Sequence, residues 1–169
     1  LTVIGEAEDV NGAHDVIGKE QPDLVLIDLS LKGGNGLELI KDLKAVYPKL
    51  LIIVVSLHDE NVYAERVMRA GAKGYIMKSE ATESILVAIR QVLNGSLYLS
   101  SKIQTKILNK IISGADNTIP VVENLSDREF EVFELIAKGL STRKIADELN
   151  LSVKTIETYK SHIKNKLNI

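Results

Sequence analysis

Over its first 99 residues the chain alternates short β-rich apolar runs with amphipathic helical stretches, and this alternation restricts the fold more than any other feature. The runs are residues 2–6, 24–29, 50–55 and 74–77. Helical stretches lie near 11–20, 36–47, 60–70 and 81–94, with Asn11, Asn35, Asp59 or Glu60, and Ser79 or Thr82 as candidate caps. Strands that are apolar on both faces and alternate with helices predict a parallel sheet with helices on each side. Such a half is doubly wound α/β. Sheets of this kind place their sites at the carboxyl edge, where Asp28 ends an apolar run.

Asn94-Gly95 closes the last of these helices, and Ile103, Ile107, Leu108, Ile111 and Ile112 then mark a further helix whose apolar stripe must pack on something. Residues 113–120 are small, polar and turn-rich, and the domain boundary is expected there. From Ser126 onward three short helices follow one another. Ser126 and Glu129 form a capping box, Gly139 stops the first helix, Ser141 caps the second, Asn150 ends it, and Ser152 caps the third. The last two, joined by a very short turn, have the pattern of a helix-turn-helix. The predicted organisation is an α/β domain over 1–99, a linker helix and flexible linker over 100–120, and an all-α domain over 121–169.

Composition narrows the function classes. With 45% hydrophobic and 26% charged positions among 169 residues, the chain is neither disordered nor collagen-like. No cysteine is present, so disulfides, thiolate metal sites and thiol nucleophiles are excluded, and His14, His58 and His162 are too scattered to suggest a metal cluster. No apolar run approaches the ~20 residues of a membrane-spanning helix, and no membrane contact is expected. The net charge of -2 hides a local excess in the last helix, where Lys154, Lys160, Lys164 and Lys166 face Glu157 alone.

With Ile156 set at 0° and about 100° per residue, Ile163 and Leu167 fall within about 20° of it and Tyr159 about 60° away. That is the buried stripe. Lys154, Thr158, Ser161 and Asn165 lie opposite, with Glu157 and His162 at the margins and the remaining lysines flanking the stripe. Central short polar residues suit base edges and flanking lysines suit phosphates, so double-stranded DNA is the expected partner.

These residues also carry a family resemblance. The segment LSDREFEVFELIAKGLSTRKIADELNLSVKTIETYKSHIKNKL, residues 125–167, resembles the LuxR-type helix-turn-helix, and residues 1–99 resemble a response-regulator receiver domain, which has a flavodoxin-like sheet. Together they resemble a NarL/FixJ-type two-component response regulator. The resemblance implies that Asp28 in PDLVLIDLSL accepts a phosphoryl group from a sensor histidine kinase. It makes Ser56, ending IIVVS, and Lys78, ending GYIMK, the phosphoryl-binding pair, and Tyr75 the switch aromatic. Mg²⁺ is expected on Asp28 and the backbone carbonyl of Ser30, with further acidic ligands from a strand and helix that have no counterpart in the chain. Lys154, Thr155, Glu157, Thr158, Lys160, Ser161, Lys164 and Asn165 are expected against DNA, with Lys160 and Lys164 at phosphates. A homodimer on DNA and a cytoplasmic location are expected as well.

Three departures from the family pattern matter. Lys32-Gly33-Gly34-Asn35-Gly36 lacks the proline and aspartate usual after the acceptor loop, which predicts a more mobile loop. Ser79 replaces the proline that commonly follows the lysine, so a cis X-Pro bond is excluded there. Leu1 corresponds to the family's second strand, and the fourth helix of the DNA domain would follow Leu167, so the chain is expected to be part of a longer protein. Two alternatives stand beside the main reading. One is a regulator of the same architecture that works without phosphorylation. The other, much the weaker, is an aspartyl phosphohydrolase, which needs a second acid where Ser30 stands; an enzyme is therefore not expected.

Overall fold

The structure, a computed structural model, describes residues 1–31, 34–112 and 121–169. The mobile loop expected at Lys32 and Gly33 and the linker expected at 113–120 lie outside the described residues. The chain divides into two compact units, Leu1–Ile112 and Ser113–Ile169.

In the first unit the order is α1 (Val10–Glu20), β1 (Leu24–Ile27), α2 (Gly36–Val46), β2 (Leu51–Ser56), α3 (Glu60–Ala70), β3 (Gly74–Met77), α4 (Ala81–Leu93) and α5 (Ser101–Ile112). The described strands form a parallel sheet in the order β1-β2-β3, with Ile27 opposite Val54 and Ser56 opposite Met77. Alternation along the strands puts Ile53 and Ile76 on one face, where Ala88 and Val92 of α4 complete a buried cluster. Ile52 and Val54, on the opposite face and equally buried, are left to the apolar sides of α2 and α3, which bury Leu39, Ile40, Leu43 and Val67.

Local sequence explains the helix starts. Asn35 accepts from the backbone N–H of Leu37 and Glu38, and Asp59 from that of Asn61, as their positions predict. α1 begins earlier than expected, capped by Asp9 rather than Asn11, because the Asp9 carboxylate reaches Gly12 N. α4 starts after Glu80 without a side-chain cap, and neither Ser79 nor Thr82 serves. At Gly36 an added Cβ would lie 2.7 Å from Leu29 Cα and 3.1 Å from the Asp28 carbonyl oxygen. Only glycine lets α2 begin so close to the end of β1.

Residues 2–6 do not form the predicted strand. A strand needs a neighbour for its backbone groups, and the described residues place none beside it. Apolar alternation cannot report that lack. The helix predicted from residue 103 is α5, and it falls within the first unit. Ser100 Oγ donates to Glu60 at 2.9 Å, Lys106 Nζ to the Asn61 carbonyl at 2.9 Å, and Lys110 Nζ to Glu65 at 2.9 Å, all docking it on α3.

The second unit is a short 3-10 turn (Val121–Asn124) followed by α6 (Asp127–Ala137), α7 (Thr142–Leu149) and α8 (Val153–Leu167). Its caps follow the sequence closely. The Ser126/Glu129 box is complete, Gly139 has φ of 79°, Asn150 takes the left-handed conformation, and Ser141 and Ser152 cap as read. Phe130, Val132, Leu135, Ile145, Ile156 and Ile163 form the core.

Glu129 does more than cap. Its side chain is 6% exposed, and Oε2 accepts from Ser126 N at 2.7 Å and from Lys166 Nζ at 2.7 Å, with His162 Nδ1 3.6 Å from Oε1. The carboxylate thus pins the end of α8 to the start of α6. Burial pushes its pKa up, but the Lys166 ammonium and the Ser126 donors outweigh that and hold it below the usual carboxylate range.

Two outcomes follow from these contacts. Gly36→Ala is expected to destabilise the first unit by about 1–3 kcal/mol, read from urea unfolding, because backbone must move to admit the methyl. Glu129→Gln is expected to destabilise the second unit by about 1.5–3 kcal/mol at neutral pH. Since the folded pKa is depressed, this contribution is full above the unfolded value of about 4.3 and disappears as pH falls through the folded one, so wild type and variant should converge in acid.

Candidate functional site

Because β1, β2 and β3 are parallel, their carboxyl ends share one edge, and Asp28, Ser56 and Lys78 stand at those ends. Lys78 Nζ donates to Asp28 Oδ2 at 2.6 Å, and the Ser30 backbone N–H donates to Oδ1 at 3.0 Å. Both carboxylate oxygens thus meet a donor while the side chain stays 29% exposed, reachable from solvent. Ser56 is fully buried, and its Oγ accepts from the His58 backbone N–H at 3.1 Å. The Lys78 backbone N–H donates to the Ser56 carbonyl at 2.8 Å, tying the ends of β2 and β3 together.

Tyr75 is turned inward, 2% exposed, and its hydroxyl donates to the His58 carbonyl at 2.7 Å. His58 is the residue sequence reasoning passed over, having weighed it only as a metal ligand. Its Nε2 lies 3.3 Å from Ser30 Oγ, and its ring sits 4.6 Å from that of Tyr63 on α3, tilted by 41°. One residue therefore touches the Asp28 loop, the end of β2, Tyr75 and α3. A signal exists in the sequence: His58 follows Ser56 by two positions, the offset at which Ser30 follows Asp28.

Among the described residues no cluster of metal-ligating side chains is present. At this edge Asp28 supplies a carboxylate.

On the second unit, Lys154, Glu157, Thr158, Ser161, Lys164 and Asn165 are exposed along α8, while Ile156 and Ile163 face the core. Two predicted residues are less free. Thr155 is half-buried and engaged in the cap, its Oγ1 2.7 Å from Ser152 Oγ. Lys160 is half-buried too, with Nζ donating to Thr142 Oγ1 at 3.0 Å and to Glu157 Oε1 at 3.4 Å. The Thr158 hydroxyl donates back to the Lys154 carbonyl at 3.1 Å, which leaves its lone pairs outward. The Thr142 hydroxyl, then Lys160 and Lys164, hold the exposed Glu157 carboxyl below its usual range.

Known proteins match both units. The response regulator receiver domain model matches residues 1–90, and the model of bacterial regulatory proteins of the luxR family matches residues 123–169. Oxygen regulatory protein NreC of Staphylococcus aureus, in strains JH9 and JH1, is 36% identical over all of this chain and 80% of its own length. Among solved structures, the RcsB response regulator of Salmonella typhimurium aligns with a TM-score of 0.69 at 29% identity, covering 99% of this chain and 78% of that one. RcsB of Salmonella enterica serovar Typhimurium, solved on promoter rprA in the presence of the phosphomimetic BeF3-, aligns with a TM-score of 0.63 at 29% identity, covering 99% and 80%. With a receiver domain followed by a LuxR-type helix-turn-helix domain, the chain belongs to the NarL/FixJ-type response regulators.

Proposed function

We propose that this chain is a phosphorylation-controlled transcriptional regulator in which Asp28 accepts a phosphoryl group from a sensor histidine kinase and α8 reads DNA. The observation that carries the first half is the Asp28–Lys78 ion pair, held on converging strand ends and accessible to solvent. An ammonium so placed stabilises the carboxylate before transfer and the phosphoryl dianion after it.

In the transfer, an Asp28 carboxylate oxygen attacks phosphorus in line, the N–P bond of the kinase phosphohistidine breaks, and the imidazole leaves. Asp28 and the Ser30 carbonyl are hard oxygen donors of the kind Mg²⁺ takes, and Mg²⁺ can bind through one or two carboxylates while keeping waters. When bound it would neutralise charge on the phosphoryl oxygens. Lys78 then turns to the phosphoryl group. Ser56, which accepts from His58 N, still has its hydroxyl proton to donate; reaching outward draws His58 along and strains the Tyr75–His58 hydrogen bond. Through Tyr63 the same movement reaches α3 and the α5 helix docked on it.

The second half is carried by the exposed polar face of α8. An RcsB relative was solved on promoter DNA with a phosphomimetic, and the same combination is proposed for this chain, working as a homodimer on paired half-sites in the cytoplasm. No helix among the described residues is long and apolar enough to cross a membrane.

Asp28→Asn in the complete protein is expected to take up no label from its cognate kinase, whereas wild type is labelled; label retained by the variant would refute the site. Lys154→Ala and Ser161→Ala are each expected to weaken specific DNA binding. The lysine change should also make the log K against log salt line shallower by about 0.9, one phosphate contact's worth, as titrations at several salt concentrations would show.

A further inference from the structure

Glu157 and Lys160 lie one turn apart on α8, and from sequence Glu157 suits a base edge while Lys160 suits a phosphate. The structure joins them instead. The Lys160 ammonium is engaged by two oxygens of its own unit, Thr142 Oγ1 at 3.0 Å and Glu157 Oε1 at 3.4 Å. Thr142 lies in the first turn of α7, so the Lys160 ammonium bridges that turn to Glu157. The Lys160 side chain is 32% exposed against 56% for Glu157, leaving the acid as the outward member.

A carboxylate in this position is repelled by phosphates and by the acceptor edges of guanine and thymine. Adenine offers an amino group but sets the N7 acceptor beside it, which a group with no donor meets unfavourably. Cytosine presents the N4 amino group as its hydrogen-bonding feature in the major groove. Lys160 lowers the repulsion between Glu157 and the DNA backbone while fixing one of its oxygens.

Resting on the reading of α8 as the DNA-contacting helix, we propose that Glu157 is a specificity-determining residue that accepts from the N4 amino group of a cytosine, and that Lys160, anchored by Thr142, is a positioning residue holding its carboxylate for that contact. Lys160 is then not a phosphate contact. This assigns to the first turn of α7 a role in base choice, through a residue on the helix that does not itself enter the groove.

The test is selection from a randomised duplex pool by the full-length protein, with salt titrations on the selected site. Wild type should enrich a cytosine at one position of each half-site. Glu157→Gln should shift that position toward adenine, since an amide can bond N6 and N7 together. Thr142→Val and Lys160→Met should each blunt the cytosine preference several-fold at the same position, while Lys160→Arg, which keeps the donors, should restore it. Such rescue is not expected of a general folding defect. The salt slope of Lys160→Met should equal that of wild type, whereas Lys164→Ala should lose about 0.9. A cytosine preference untouched by Thr142→Val and Lys160→Met, or a salt slope reduced by about 0.9 in Lys160→Met, would overturn the proposal. If wild type binds no duplex at all, the DNA-reading assignment of α8 is what fails, and the specificity role falls with it.

Discussion

Parallel pairing of β1, β2 and β3 is the constraint on which the first unit depends. Strands that run the same way in register must finish at one edge, so the residue after β1, the last of β2 and the residue after β3 are brought together although they lie far apart in sequence. Those residues are Asp28, Ser56 and Lys78. Gly36 supplies the remaining condition, letting α2 start against the backbone that carries Asp28.

Around that edge the polar contacts form a continuous path. Asp28 reaches Ser30 through its backbone N–H, Ser30 reaches the His58 ring, and His58 meets Ser56, Tyr75 and Tyr63. Tyr63 lies on α3, and polar contacts through Glu60, Asn61 and Glu65 tie α5 to α3. In the proposed switch, charge gained at Asp28 is spent on moving His58, and the helix before the second unit lies within reach of that movement.

Much of this was legible in the sequence. Asp28 could be read because it is a polar residue closing an apolar run, Ser56 and Lys78 came with the family resemblance, and Asn35, Asp59, Ser126, Ser141 and Ser152 could be read because helix caps are local chemistry within three residues. The contacts that join distant elements were not. His58 gives no periodic signal, and its importance comes from four neighbours that only folding assembles. Glu129 was visible as half of a capping box, but its bonds to Lys166 and its approach to His162 span more than thirty residues. Lys160 looked like a free lysine until Thr142 was placed beside it. Residues 2–6 failed in the opposite sense: the local pattern is that of a strand, and strand formation is decided by a neighbour.

The central claim is that phosphoryl loading of Asp28 controls DNA binding by the second unit, and affinity measured on a selected duplex before and after loading tests it most directly. Fluorescence anisotropy on the complete protein, at fixed salt, should show binding at least about tenfold tighter after treatment with the cognate kinase and ATP, a coupling of about 1.4 kcal/mol. Asp28→Asn should show no such change. Equal affinity of the loaded and unloaded wild-type protein would contradict the switch.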